Sequence, residues 1–303
     1  MMFLPPLTAA ELAALHSRLI IPVDDAIFRI EGSGTFNCLQ GLLTNDVMKL
    51  ASGSAAWGAF LTPKGMIVSD AWVIRDGDAA WVLAPGSALD TMRQLFARTM
   101  PPRLAKVTDR TGAMQLRWLC GGTSSTIEGA TIAPPEGLAP FTALLLTADA
   151  EVIDARLIEQ GWSTAPHSRA DAFKLLMGWP TLGREIDDRT LPQEVRFDEL
   201  GGVKYDKGCY TGQETVARLH FRGHANRALR GLRWGAGENP VDANVTSGEK
   251  AVGTLRTVAR LGDQFHALAI LRREVGVGEM VRAGGRDAIV IEPPFNPGGA
   301  SVA

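Results

Sequence analysis

Past residue 226 the chain changes texture. Short apolar runs at residues 229–234, 250–258, 264–271, 279–281 and 288–291 alternate with glycine-bearing turns. Each run is too short for a helix of normal length, and their close, even spacing is that of sequential strands. The economical way to pair five or so such strands without leaving long edges is a small closed β-barrel. At 303 residues the chain exceeds one small core, and about two or three domains are expected.

Upstream the pattern is mixed. Thr8 and Glu11 form a capping box ahead of Leu12, Leu15 and Leu19 at helical spacing. Residues 28–31 read as a strand and 36–43 as a helix face ending at Thr44-Asn45-Asp46. Residues 55–84 read as strands separated by turns at Pro63-Lys64-Gly65 and Asp76-Gly77-Asp78. Leu89, Met92, Leu95, Phe96 and Thr99 outline an amphipathic helix stopped by Pro101-Pro102, and strands return at 105–109 and 113–119. Residues 121–140 read as a loop, 151–160 and 168–177 as helices, and 178–205 as an extended irregular segment. The order of elements predicts an α+β fold with a C-terminal small β-barrel. The tail 293–303 reads as mobile.

Composition removes several function classes. Hydrophobic residues at 46% and charged residues at 21% exclude a disordered chain. A net charge of −2 gives no general attraction to nucleic acid, and no direct nucleic-acid partner is expected. No apolar run approaches the roughly 20 residues of a membrane span. The N-terminus lacks the basic and apolar regions of a signal peptide. The expected setting is cytoplasmic, or the mitochondrial matrix for a eukaryotic chain. Three cysteines, Cys38, Cys120 and Cys209, are too few and too scattered for a disulfide framework or a self-contained metal site.

One segment concentrates unusual chemistry: Lys207, Gly208, Cys209, Tyr210, Thr211, Gly212, Gln213 and Glu214. Its glycines permit a tight turn, and Gln213 opens a helix. Cys209 then stands near a helix N-terminus and two residues from a lysine, and both favour thiolate. Arg218 and Arg222 add positive charge one and two turns on. So many polar and charged types within a dozen residues make a poor dry core.

Residues 207–218, KGCYTGQETVAR, resemble the signature of the YgfZ-type proteins, relatives of the folate-binding T-protein of glycine cleavage. Residues 39–47, LQGLLTNDV, resemble a second block of that family, and Leu61-Thr62-Pro63-Lys64-Gly65 followed by Asp70 a third. Gly178-Trp179-Pro180, Gly183-Arg184-Glu185-Ile186, Leu191-Pro192-Gln193-Glu194 and residues 248–253 follow in the family's order. The resemblance implies a three-part ring fold around a folate channel. Residues 1–50 with 150–225 would make one part and 51–125 an inserted second. Together, as residues 1–225, these form the folate-binding region, with 226–303 as the barrel.

The resemblance also implies tetrahydrofolate, or a derivative, as ligand. Its implied site comprises Asn45, Asp46, Lys64, Asp70, Lys207, Gly208, Tyr210, Gly212, Gln213, Glu214 and Arg218, with Cys209 and Asp70 as reactive groups. Iron–sulfur enzymes or cluster-assembly proteins are the implied partners. The implied function is accessory: support of iron–sulfur assembly or repair and of iron–sulfur-dependent tRNA modification.

Two alternatives stand beside it. One is a folate-dependent aminomethyl transferase or demethylase using Asp70. The other is a non-enzymatic scaffold that has lost folate. The second arises from a departure: Leu176 stands where the family carries a glutamate that can pair with the pterin ring. Leucine accepts no hydrogen bond, and Glu185 and Glu194 are the candidate replacements. His220 and His224 lack the surrounding pattern of a metal pair and read as rim residues.

Overall fold

The computed structural model describes residues 1–122, 126–235 and 237–295. Three sheets surround one shared apolar cluster. The first runs in the order Ala55–Leu61, Ile67–Asp76, Ala79–Pro85, Asp25–Glu31, Lys106–Asp109, all antiparallel. Period-two alternation decides its faces. Ala71 and Val73 point to a layer with Leu39, Met92 and Phe96 from the helices Thr35–Gln40 and Leu89–Thr99. Trp72, Ile74, Trp57 and Ile27 point the other way, into the shared cluster.

The second sheet orders Ser163–Thr164, Leu19–Val23, Gln115–Cys120, Ala143–Thr147 and Ala130–Ala133. Ile20, Leu119 and Leu145 face the helix Ala150–Glu159, while Ile21, Trp118 and Leu144 join the shared cluster. The helix Ser168–Met177 adds Ala170, Ala172 and Leu175 to the same cluster.

The C-terminal strands Arg227–Trp234, Asn244–Ser247, Lys250–Leu261, Gln264–Arg272, Met280–Ala283 and Arg286–Ile291 close into a six-stranded barrel. Pairing of Lys250–Leu261 with Gln264–Arg272 makes the closure. Met2–Phe3 attaches parallel to Lys250–Leu261. The barrel has its own interior, and its Leu229, Leu268 and Ile270 turn towards the shared cluster.

Several expectations are corrected. The first helix stops at Ala14, and Leu19 opens a strand. The capping box at Thr8 and Glu11 is formed, but an apolar spacing continued past the true end of the helix. The residues 121–140 hold the strand Ala130–Ala133, and Ala143–Thr147 and Asn244–Ser247 were not foreseen. Lys106–Asp109 and Gln115–Cys120, adjacent in sequence, enter different sheets. Of the tail, Pro293 and Phe295 are docked. Phe295 N–H donates to the Leu176 carbonyl at 2.6 Å, and Arg196 donates to the carbonyls of Met177, Gly178 and Pro293. Residues 296–303 lie outside the described residues.

Candidate functional site

The sheet face turned to the shared cluster is walled by aromatics. Trp57 stacks on Phe197 with ring centres 4.0 Å apart, and Trp72 lies nearly parallel to Trp179 at 5.8 Å. Phe141 bridges Trp72 and Trp118 at 4.8 and 4.9 Å. Asp70 belongs to this face, because it shares strand parity with Trp72 and Ile74. It is 8% exposed. Its Oδ2 accepts from Trp57 Nε1 at 3.0 Å, and its Oδ1 has no partner. Burial raises the Asp70 carboxyl above the ordinary range, against the lowering effects of the Trp57 hydrogen bond and the Lys174 charge.

A buried acceptor without a partner is uncommon in folded proteins. Asp70 shares its sheet face with Trp72, and its other oxygen bonds Trp57. The donor set suits a planar, nitrogen-rich heterocycle bearing an amine, since rings stack on rings and a carboxylate accepts N–H bonds. The residues therefore fit a folate. Asp70 and the tryptophan and phenylalanine walls would hold it, and the folate itself would supply one-carbon chemistry.

The 207–214 segment is built differently from its sequence reading. Lys207 is buried, and its Nζ donates to the carbonyls of Gln40, Leu43 and Asn45 at 2.8, 2.6 and 2.8 Å. Burial pushes it down to about 8, with Asp46 opposing, so it stays charged at neutral pH. All three ammonium hydrogens are committed to carbonyls, so Lys207 is a strut for the 40–46 loop rather than a free charge beside Cys209. Sequence spacing alone could not reveal this, because the acceptors lie about 160 residues away.

Thr211 N–H donates to the Gly41 carbonyl, and Tyr210 packs in the shared cluster with its hydroxyl unpartnered. Burial pushes Tyr210 up to about 12. Gly212 has φ +82°, and a Cβ there would lie 2.5 Å from the Thr62 carbonyl oxygen. Gly65 meets Thr215 from the other side. The Leu61–Gly65 turn and the start of helix Gln213–Arg222 are thus one packed unit. Gly208 is under no such constraint, as a Cβ there would enter open space. Lys64, Cys209, Glu214 and Arg218 are exposed, and Gln213 is half-buried.

Asn45 and Asp46 serve the frame. Both amide hydrogens of Asn45 go to backbone carbonyls, of Trp57 at 2.6 Å and Gly201 at 3.0 Å. Asp46 accepts from Gln40, Met48 and Lys49, which together hold its carboxyl low although burial opposes them. The result is a connected path. Asp70 is held by Trp57, the Trp57 carbonyl by Asn45, and the Asn45 carbonyl by Lys207, two residues before the exposed Cys209.

Glu185 and Glu194 are engaged elsewhere. Glu185 accepts from Thr257 Oγ1 and from Thr181 N–H, and Glu194 takes Arg227 in a two-pronged pair at 2.9 Å and 2.9 Å. Both tie the 178–205 segment to the barrel, so neither replaces the carboxylate missing at Leu176. His220 stacks on Tyr205 at 3.7 Å and faces Asp198. No group of three or more metal-ligating residues occurs among the described residues.

Sequence reasoning missed Asp25 and Lys174. Asp25 lies on the same sheet face as Asp70, and burial pushes its carboxyl up to about 7, with Asp70 and Asp24 adding and Lys174 opposing. The available signal was alternation: Asp25 is two residues from the inward-facing Ile27. A surface depression of about 770 Å³ lined by Phe36, Arg75 and Asp76 includes neither Asp70 nor Cys209. Within it, Arg75 donates to the carbonyls of Met48 and Leu50, and Asp76 accepts from Arg29.

Residues 25–133 match the family model described as the GCVT N-terminal domain. The chain is 30% identical to the tRNA-modifying protein YgfZ of Vibrio vulnificus, over 75% of this chain and 73% of that one. It is 27% identical to the tRNA-modifying protein YgfZ of Cronobacter sakazakii, over 95% and 96%. The solved glycine cleavage system aminomethyltransferase T of Bartonella henselae superposes with a TM-score of 0.77 at 15% identity, over 96% of this chain and 91% of that one, and so shares its fold. No helix among the described residues is long and apolar enough to cross a membrane. With its Cys209-bearing segment packed on the Leu61–Gly65 turn and its Asp70 set among tryptophans, the chain belongs to the YgfZ family of T-protein-like proteins.

Proposed function

We propose that this protein binds tetrahydrofolate, or a derivative, on the aromatic face around Asp70. In this reading it acts as an accessory factor in assembly or repair of iron–sulfur enzymes, including those that modify tRNA. The observation that carries the folate assignment is the buried Asp70 Oδ1, without a partner, on the sheet face whose Trp57 and Trp72 pack with Trp179 and Phe141. The relatives named as tRNA-modifying support the cellular role. In this reading the boundary between the folate-binding region and the barrel falls between residues 225 and 226. Exposed Cys209, carried by a rigidly anchored loop, is the group presented to partner proteins. Lys64 and Arg218, both exposed, offer positive charge to an anionic folate tail or partner.

The test has two arms. Anaerobic calorimetry should give saturable tetrahydrofolate binding that Asp70→Asn weakens. In cells lacking the endogenous protein, Cys209→Ala should lower iron–sulfur enzyme activities and iron–sulfur-dependent tRNA modification at unchanged protein level. Absence of binding would leave a scaffold built around Cys209. Normal enzyme activity in the mutant would remove the accessory role.

A second reading, aminomethyl transfer, is favoured by one observation: a buried carboxyl with a raised proton affinity suits proton exchange with an amine. Release of formaldehyde or ammonia from an amine substrate, dependent on folate and on Asp70, would establish it.

A further inference from the structure

Asp25 and Asp70 form a row across one sheet face. Asp25 pairs with Pro85 in the ladder between Asp25–Glu31 and Ala79–Pro85. On the other side of that middle strand, Trp72 pairs with Leu83, and the next step of the same parity brings Asp70 level with Pro85. The two carboxylates therefore stand two interstrand spacings apart, about 10 Å at their Cα atoms. Both belong to the face turned to the shared cluster, as their neighbours Ile27 and Trp72 do. Lys174 looks at both from the helix Ser168–Met177, its Nζ 5.3 Å from the centre of the Trp118 ring.

The two carboxylates differ in what they have left to offer. Asp70 has one oxygen tied to Trp57 and one free. Among the described residues Asp25 has no hydrogen-bond partner, and it keeps part of its surface open although it is set deep among other groups. Two free oxygens in one plane match two adjacent N–H donors, as on the amino-pyrimidinone edge of a pterin. One free oxygen matches a single amine hydrogen. Leu176, on the helix that carries Lys174, can supply neither.

Resting on the folate reading, we infer that Asp25 is the specificity-determining residue of the site: its free carboxylate takes the amino and ring N–H donors of a reduced pterin, while Asp70 meets an amine hydrogen further along the ligand. Lys174 is the positioning counter-charge that keeps the row from carrying two unbalanced negative charges. The ligand bond needs Asp25 ionised. The charged groups facing it are Asp24, Asp70 and Lys174, so binding should weaken as pH falls from about 8 to about 6.

The test is anaerobic calorimetry with tetrahydrofolate and with its 2-desamino-2-methyl analogue, which lacks the amino donor. The unaltered protein should prefer tetrahydrofolate by about tenfold or more, the scale of a hydrogen bond to a charged group. Asp25→Asn should lose that preference and the pH dependence while keeping its circular dichroism. Equal binding of the two ligands by the unaltered protein overturns the inference without any variant. So does an Asp25→Asn protein that still discriminates. If Asp70→Asn weakens tetrahydrofolate binding and Asp25→Asn does not, the folate reading stands and only the role of Asp25 falls. No binding of tetrahydrofolate by the unaltered protein overturns both.

Discussion

Trp57 Nε1 donates to Asp70 Oδ2 at 3.0 Å, and that bond leaves the opposite oxygen of the same carboxylate buried and without a partner. The arrangement holds an acceptor in place at a cost to folding, since a carboxyl group is kept out of water with one oxygen unpartnered. Asp70→Asn keeps an oxygen for Trp57 and removes the charge. The protein should gain stability, by about 1 kcal/mol, while losing tetrahydrofolate affinity by about tenfold. Denaturant unfolding and calorimetry on the same preparation read the two effects. A variant that loses stability would mean that Asp70 is a structural residue.

Asp25 should shape the pH dependence of stability. Its carboxyl is raised from 3.8 to about 7. Between those values the folded state holds a proton that the unfolded state has released, so the contribution of Asp25 to stability is greatest below about pH 4 and declines as pH rises to about 7. Asp70 is raised as well and contributes in the same direction. Asp25→Asn should flatten the decline in part. Melting temperatures taken from pH 4 to 8 test this, and an unchanged slope would contradict the deep setting of Asp25.

Within one eight-residue segment, stability and function should separate. Lys207→Met strands the carbonyls of Gln40, Leu43 and Asn45, and should cost about 3 kcal/mol or more. Cys209→Ser alters an exposed side chain and should stay within about 0.5 kcal/mol. Urea unfolding of the two variants would show the contrast, and equal effects would argue against Lys207 as a strut.

Gly212→Ala should be destabilising in a way that Gly208→Ala is not. At Gly212 the backbone is left-handed and the added methyl meets the Thr62 carbonyl oxygen at 2.5 Å. The conformational and steric terms together amount to roughly 2–4 kcal/mol. At Gly208 the methyl enters open space. If Gly208→Ala nonetheless impairs function in cells with stability intact, closeness of a partner to Cys209 is the simplest cause.

Local pattern determined much of this protein. Apolar spacing and a proline stop gave the helix Leu89–Thr99, the helix Ser168–Met177 was read with the same bounds, and the glycine-cut texture after residue 226 gave the barrel. These are short-range effects, written in neighbouring residues. Cys209 stood out as a reactive type in conspicuous surroundings, whereas Asp70 was singled out by the resemblance to a known family. What Lys207 does was decided only by the fold, since its acceptors arrive from the 40–46 loop. The same holds for the partition of Lys106–Asp109 and Gln115–Cys120 between two sheets. The pairing of Asp25 with Asp70 across an intervening strand depends on sheet register, a long-range relation that no local periodicity encodes. Sequence supplied the chemical groups, and tertiary structure decided which were tied into the frame, as Lys207 is, and which kept an oxygen unpartnered, as Asp70 does.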